Sequence, residues 1–146
     1  MKRFALFLLC LLFFVQPLLV SAEETVTYSS CETAEDEGYF ITTLTITESR
    51  TTGTKRGTKT TTYYTADDVA IWALQLVGTF SYNYGVSATA TNAQASVTVY
   101  DSNASVQICD AYTSGSAAFG YATVRYMNRL VEKELSLNCD KYGNVT

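Results

Sequence analysis

The chain has 146 residues, a net charge of −4 and no histidine. This length fits one domain with a hydrophobic core of its own. Without histidine, the chain lacks the commonest general base and metal ligand, which excludes serine and cysteine hydrolases of the histidine-dependent kind. The acidic balance and the lack of a basic face argue against binding to nucleic acid.

The N-terminus has the three parts of a secretory signal peptide. Lys2 and Arg3 come first, the apolar run 4–15 follows, and small residues end at Ala22. This order predicts cleavage after residue 22 and export to the extracellular space. A retained membrane anchor is the alternative, but the apolar segment 4–20 is short for a span, which needs about 20 residues. We therefore predict a secreted protein with no stable membrane span after cleavage.

Residues 23–37 are predicted to form an acidic, flexible arm. Six of the 14 acidic residues of the chain lie between Glu23 and Glu37. High charge with few apolar residues disfavours a packed core, which is why we expect this segment to be flexible. The domain proper is expected at residues 38–146.

Within this domain, apolar and polar residues alternate along several segments, a pattern typical of strands. Residues 39–50 and 55–64 are predicted as a hairpin whose second, polar strand lies at a sheet edge. Residues 69–82 are predicted as the central strand. Its even positions are apolar: Trp72, Leu74, Leu76, Phe80 and Tyr82.

Further strands are predicted after residue 86. The alternation changes phase near Thr91 and Asn92, which indicates a β-bulge or a crossing between sheets. Later strands are expected from Val106, at 118–126 and at 130–139. About seven strands with regular turn signals predict an all-β fold, an immunoglobulin-like antiparallel β-sandwich, with a small antiparallel barrel as the alternative.

Three cysteines remain after removal of the leader: Cys31, Cys109 and Cys139. Because exported proteins meet an oxidising environment, one disulfide is expected. Cys109–Cys139 is favoured, since both residues lie in strand patterns, and Cys31–Cys139 is the alternative. A further possibility from the sequence is that all three cysteines are unpaired, buried thiols.

No residue pattern marks a catalytic or metal site. Asp67 and Asp68 are adjacent, so on a strand they would face opposite ways, and a solvated turn is the better interpretation. Hydrolysis by paired carboxylates would need several acids to converge in space. The candidates are Asp101, Asp110, Glu132 and Glu134. We predict a non-catalytic protein without metal or cofactor.

Tyr63, Tyr64 and Tyr84 flank predicted turns and are the candidate ligand-binding residues. Exposed tyrosines build many glycan- and protein-binding surfaces, although ordinary strand composition also explains them. The predicted function is therefore an extracellular binding module for a glycan or a surface protein. The alternative is a membrane-active toxin or antimicrobial protein, because residues 86–100 alternate as membrane-inserting hairpins do.

Several stretches resemble a family of small, uncharacterised secreted all-β proteins from Gram-positive bacteria. They are the tryptophan strand at 71–82, the hairpin at 97–103 and the last strand, 135–139, which ends in cysteine. The resemblance extends from about Tyr63 to the C-terminus. Such sequences often carry a cysteine where this chain has residues 88–91, which implies that Cys139 lacks its usual partner. The resemblance implies no activity.

Overall fold

The computed structural model describes residues 25–34, 38–47 and 53–146, and the predicted signal peptide lies outside them. The described chain forms eight strands: β1 (Thr25–Thr33), β2 (Tyr39–Thr47), β3 (Thr54–Tyr64), β4 (Ala70–Asn83), β5 (Ser87–Val99), β6 (Ala104–Ser114), β7 (Ala117–Tyr126) and β8 (Arg129–Asn138). Over these ranges there is no helix that could cross a bilayer.

The strands form two antiparallel sheets. One sheet has the order β1-β2-β3-β4-β5 and the other has the order β6-β7-β8. Contacts between the sheets join β3, β4 and β5 to the three strands of the smaller sheet. The predicted all-β fold and antiparallel β-sandwich are confirmed. Within each sheet the paired strands are consecutive in sequence, so each sheet is a meander, and the β5–β6 turn joins the two sheets; this topology differs from the Greek key of immunoglobulin domains.

Strand β1 lies inside the segment that the sequence predicted as a flexible arm. It pairs with β2 along its whole length, from Thr25 opposite Thr47 to Thr33 opposite Tyr39. Glu32 is the only acidic residue of β1, because the other acids of the segment come before or after it. The acidic composition of the whole segment thus concealed a strand-like alternation at its centre. With β1, the sandwich has eight strands instead of the predicted seven or so.

Strand β3 lies inside the larger sheet, so the prediction of an edge strand was wrong. It pairs with β2 on one side and with β4 on the other. Its polar character comes from Thr58, Thr60 and Thr62, which share the outer face of the sheet with Thr43 and Thr45 of β2. An antiparallel sheet can leave one face in water, so a polar strand need not be an edge strand.

The change of phase in the sequence near residue 91 corresponds to a β-bulge in β5. Thr79 of β4 is opposite Asn92, whereas the next residue, Phe80, is opposite Ala90. Thr91 is the extra residue, and its hydroxyl donates a hydrogen bond to the Thr79 carbonyl at 3.1 Å. The bulge lets apolar residues on both sides of it face the core, which confirms the predicted irregularity.

The core depends on a close approach between β4 and β7. Trp72, Leu74, Leu76 and Phe80 of β4 are fully buried. A Cβ atom added to Gly78 would lie 2.9 Å from the Phe80 ring and 3.1 Å from the Ala118 Cβ of β7. The sheets therefore pack here without room for one more methyl group.

We expect the substitution Gly78→Ala to lower the free energy of unfolding by about 1–3 kcal/mol, because the added methyl group overpacks the core. Urea unfolding followed by circular dichroism measures the change. The control is Ser81→Ala, an exposed position on the same strand, which should change stability by less than about 0.5 kcal/mol. Equal stability of the two variants would contradict this account of the core.

Candidate functional site

An open cleft of about 660 Å³ lies at one end of the sandwich. It is bounded by the β3–β4 loop, the β5–β6 turn and the β7–β8 turn. The side chains that define its chemistry are Tyr63, Asp67, Asp101, Tyr126, Met127 and Arg129. The cleft therefore combines aromatic rings, two carboxylates and a guanidinium group in one concave surface.

The β3–β4 loop is held by its own hydrogen bonds and by a contact with β2. The Thr65 N–H donates to the Val69 carbonyl at 3.0 Å, and the Asp68 N–H donates to the Thr65 carbonyl at 3.1 Å. The Tyr39 hydroxyl donates to Asp68 Oδ1 at 2.6 Å. This hydrogen bond to a carboxylate, with smaller contributions from desolvation and nearby charge, raises the pKa of Tyr39 to about 12. The loop is thus fixed before any ligand arrives.

The β5–β6 turn places Asp101 in a defined position. Its Oδ1 accepts hydrogen bonds from the Asn103 N–H at 2.8 Å and from Asn103 Nδ2 at 2.9 Å. The backbone N–H groups of Tyr100 and Asp101 donate to the Ile71 carbonyl at 2.8 and 3.2 Å. The turn is therefore tied to the first buried residues of β4.

The backbone around the cleft adopts an uncommon conformation. Met127 and Asn128, in the β7–β8 turn, have φ angles of 46° and 67°, and Asp68 has a φ of 63°. Over residues 25–34, 38–47 and 53–146, no other non-glycine residue has a positive φ. This conformation costs energy in L-residues, and such positions cluster at binding and catalytic sites.

We expect Met127→Asn to make the protein more stable by up to about 1 kcal/mol, because asparagine tolerates the left-handed region better than methionine. Met127 is 65% exposed, so its replacement removes little packing. Thermal unfolding measures the gain. Met127→Leu, which keeps an apolar side chain and the unfavourable conformation, is the control and should not be stabilised. A loss of stability in Met127→Asn would contradict the assignment of strain.

The cleft can hold a hydroxylated ligand by direct contacts. Carboxylates accept hydrogen bonds from hydroxyl groups, a guanidinium group donates them, and aromatic rings cover the apolar faces of sugars. Asp67 and Asp101 provide the first kind of group and Arg129 the second, while Tyr126 provides an accessible ring. No group of three or more acids and cysteines in the described parts of the chain could hold a metal ion.

The three tyrosines predicted as binding residues do not form one patch. Tyr63 lines the cleft but is nearly buried, and Tyr64 stacks on Tyr39 beside the cleft with ring centroids 5.2 Å apart. Tyr84 lies at the opposite end of β4, roughly 45 Å away at about 3.3 Å per residue. It packs edge-to-face on Tyr142 at 5.4 Å. Sequence reasoning missed Tyr126, because only the fold brings three distant turns together.

The four candidate carboxylates of the sequence analysis also separate. Asp101 lies at the cleft, whereas Asp110 and Glu134 flank Tyr121 in one row across the smaller sheet. Glu132 lies two residues from Glu134 along β8, opposite Thr123. Asp101 is therefore remote from the other three carboxylates, and the four candidates do not form one cluster.

The disulfide expected from the sequence is not formed. Cys31 and Cys109 are exposed free thiols, and Cys139 is a buried free thiol. Cys109 is opposite Ala122, which is opposite Lys133 of β8. Cys139 lies six residues beyond Lys133, about 20 Å along the strand, so no disulfide can span the gap. The alternation patterns placed Cys109 and Cys139 on strands, but they could not show how far apart the two residues lie in the fold.

We expect Cys31 and Cys109 to react with a thiol reagent in the native protein and Cys139 to react only after unfolding. Partial desolvation, helped by the charge of Asp110, raises the pKa of Cys109, so its labelling should accelerate as the pH rises past the usual thiol range. Mass spectrometry of peptides from native and denatured samples locates the labels. If two of these cysteines reacted only after a reductant was added, they would form a disulfide and the assignment of three free thiols would be wrong.

Comparisons with protein-family models, with curated proteins and with solved structures find no match to this chain. The resemblance to secreted proteins of Gram-positive bacteria thus stays a prediction. The functional interpretation depends on the cleft and on the chemistry of its side chains.

Proposed function

We propose that this chain is a secreted, non-catalytic binding module that holds an extracellular glycan in the cleft at the end of the sandwich. The observation that supports the proposal is the cleft itself, in which fixed loops surround aromatic, acidic and basic side chains. Export follows from the predicted signal peptide at residues 1–22.

The shape of the cleft favours a glycan over a surface protein. Stable protein interfaces bury about 800 Å² on each partner, mostly across broad surfaces. A concave site of about 660 Å³ is in the usual range for a small ligand. Asp67, Asp101 and Arg129 offer polar contacts at its wall, and the Tyr126 ring is part of the same surface. A short oligosaccharide matches both the size and the chemistry.

The position of the carboxylates supports binding rather than catalysis. Asp67 and Asp101 belong to different loops, and Asp101 Oδ1 already accepts two hydrogen bonds from Asn103. Proton transfer needs a group within hydrogen-bond reach of the reacting atom and free to exchange its proton. Asp101, which is held in this way, is suited to accept a hydrogen bond from a sugar hydroxyl group through its other oxygen.

The test is a glycan array probed with the mature protein, followed by calorimetry with the strongest ligand. We expect Tyr126→Ala to weaken binding about tenfold, which corresponds to about 1.4 kcal/mol. Asp101→Asn keeps the turn, since its Oδ1 can still accept from Asn103, and should also weaken binding through the lost charge. Circular dichroism verifies that both variants remain folded.

The matched control is Tyr84→Ala. Tyr84 is a tyrosine in a turn at the other end of the sandwich and is 74% exposed. Its removal should leave glycan affinity unchanged. Failure of the native protein to bind any glycan, or equal losses for Tyr84→Ala and Tyr126→Ala, would refute the proposal.

A further inference from the structure

The two sheets are unequal, and the difference exposes apolar residues. The smaller sheet packs mainly on β3, β4 and β5. Through Lys133 it also meets Glu32 of β1 and Phe40 of β2, whereas toward the other end of β1 and β2 no described strand opposes their inner face. Val26 and Tyr28 of β1 point to this side and are 39% and 59% exposed. They share a groove of about 490 Å³ with Leu44 and Ile46 of β2 and with the C-terminal residues 143–146.

Among the described residues the edge of β1 has no neighbouring strand, whereas the other sheet edges make contacts beyond their own sheet. Asn138 of β8 exchanges two backbone hydrogen bonds with Thr146, each of 2.9 Å. Lys59 Nζ donates to the Ser136 carbonyl of β8 at 3.0 Å. At the other side of the sandwich β5 lies against β6, and the Ala90 N–H donates to the Gly115 carbonyl. No described strand lies beyond β1.

Strand β1 has few of the features that keep edge strands from pairing, since its one charged residue, Glu32, lies near its end and is paired with Lys133. Its sequence contains no lysine, no proline and no glycine, and its register with β2 is continuous over nine residues. Proteins normally protect such an edge with charge, proline or a bulge. An open, regular edge beside an apolar groove is the geometry that captures an extended peptide by strand addition.

We propose that β1 and the adjoining groove bind an extended, cationic peptide segment of a partner as an added strand. The peptide backbone pairs with the free edge of β1. Its alternate side chains point inward and cover Val26 and Tyr28, so they are apolar. This inference is independent of the proposed glycan cleft, which lies at the end of the sandwich and shares no residue with the groove.

The charge of this region selects a basic partner. No lysine or arginine occurs between residues 23 and 49, and six acidic residues lie between Glu23 and Glu37. Opposite charge favours encounter and fixes the register of the added strand. A second copy of this chain is disfavoured, because each copy has the same excess of acidic residues in this segment and like charges oppose association.

The test uses hydrogen exchange of the mature protein with a synthetic peptide of alternating valine and threonine that carries lysines at both ends. Saturation at a concentration 100 times Kd should slow exchange of the β1 amides by up to about 100-fold. A peptide of the same core with glutamates at both ends should have no effect. Exchange in β6 and β7 should not change with either peptide.

Two protein variants separate specific docking from simple charge attraction. Tyr28→Lys places a positive charge in the groove and should raise the Kd about tenfold or more. Thr27→Lys adds the same charge to the same strand but on the outer face, where Thr27 is opposite Thr45, and should raise it much less. Both positions are exposed, so both variants should fold.

Three results would overturn the inference. They are unchanged β1 exchange with the lysine peptide, equal losses in the two lysine variants, and β1 protection that depends only on protein concentration, which would indicate self-association. The Asp101→Asn variant should bind the peptide normally, and Tyr28→Lys should bind a glycan normally. Failure of one proposal is therefore distinguishable from failure of the other.

Discussion

The close packing of large side chains from β4 against small residues of the facing sheet is the constraint on which this sandwich depends. A Cβ added to Gly120 of β7 would lie 3.0 Å from the Leu76 Cδ1 of β4. Trp72 is wholly buried, although its Nε1 has no hydrogen-bond partner among the described residues. An unsatisfied buried donor costs about 1–3 kcal/mol, which the packing of its ring against Phe40 and Tyr63 must offset.

This packing also decides which side of the sandwich is closed. Lys59 and Lys133 point into the space between the sheets, where long side chains can bury their stems and keep their charges at the rim. Lys133 Nζ pairs with Glu32 at 2.6 Å and lies 4.5 Å from the centre of the Phe40 ring. Lys59, through its hydrogen bond to the Ser136 carbonyl, and the C-terminal residue Thr146, through its bonds to Asn138, cover the end of β8. Lys133 thus contacts β1 near its end at Glu32, whereas Val26 and Tyr28, nearer the start of β1, stay exposed.

The two proposed sites follow from different consequences of one architecture. Meander connections put the β3–β4, β5–β6 and β7–β8 turns at the same end, where their side chains surround a cleft. Unequal strand numbers leave an apolar face and an open edge along one side. The cleft offers hydrogen-bonding side chains to a hydroxylated ligand, whereas the edge offers backbone groups to a peptide. The ligand proposed for each site thus follows from the groups that the site exposes, which are polar side chains at the cleft and backbone groups at the edge.

The sequence by itself determined the strand class, because period-two alternation reports which side of a strand is buried. Alternation at Trp72, Leu74 and Leu76 located the central strand, and the phase change near Thr91 located the bulge. Composition led to a wrong prediction at β1, because the acidic residues before and after this strand outweighed its short alternation of apolar and polar residues. Only the tertiary structure decided that β3 is internal, that Cys109 and Cys139 are far apart, and that Tyr126 joins Tyr63 at one cleft. These relations depend on strand order and on the distance between turns, which local alternation does not encode.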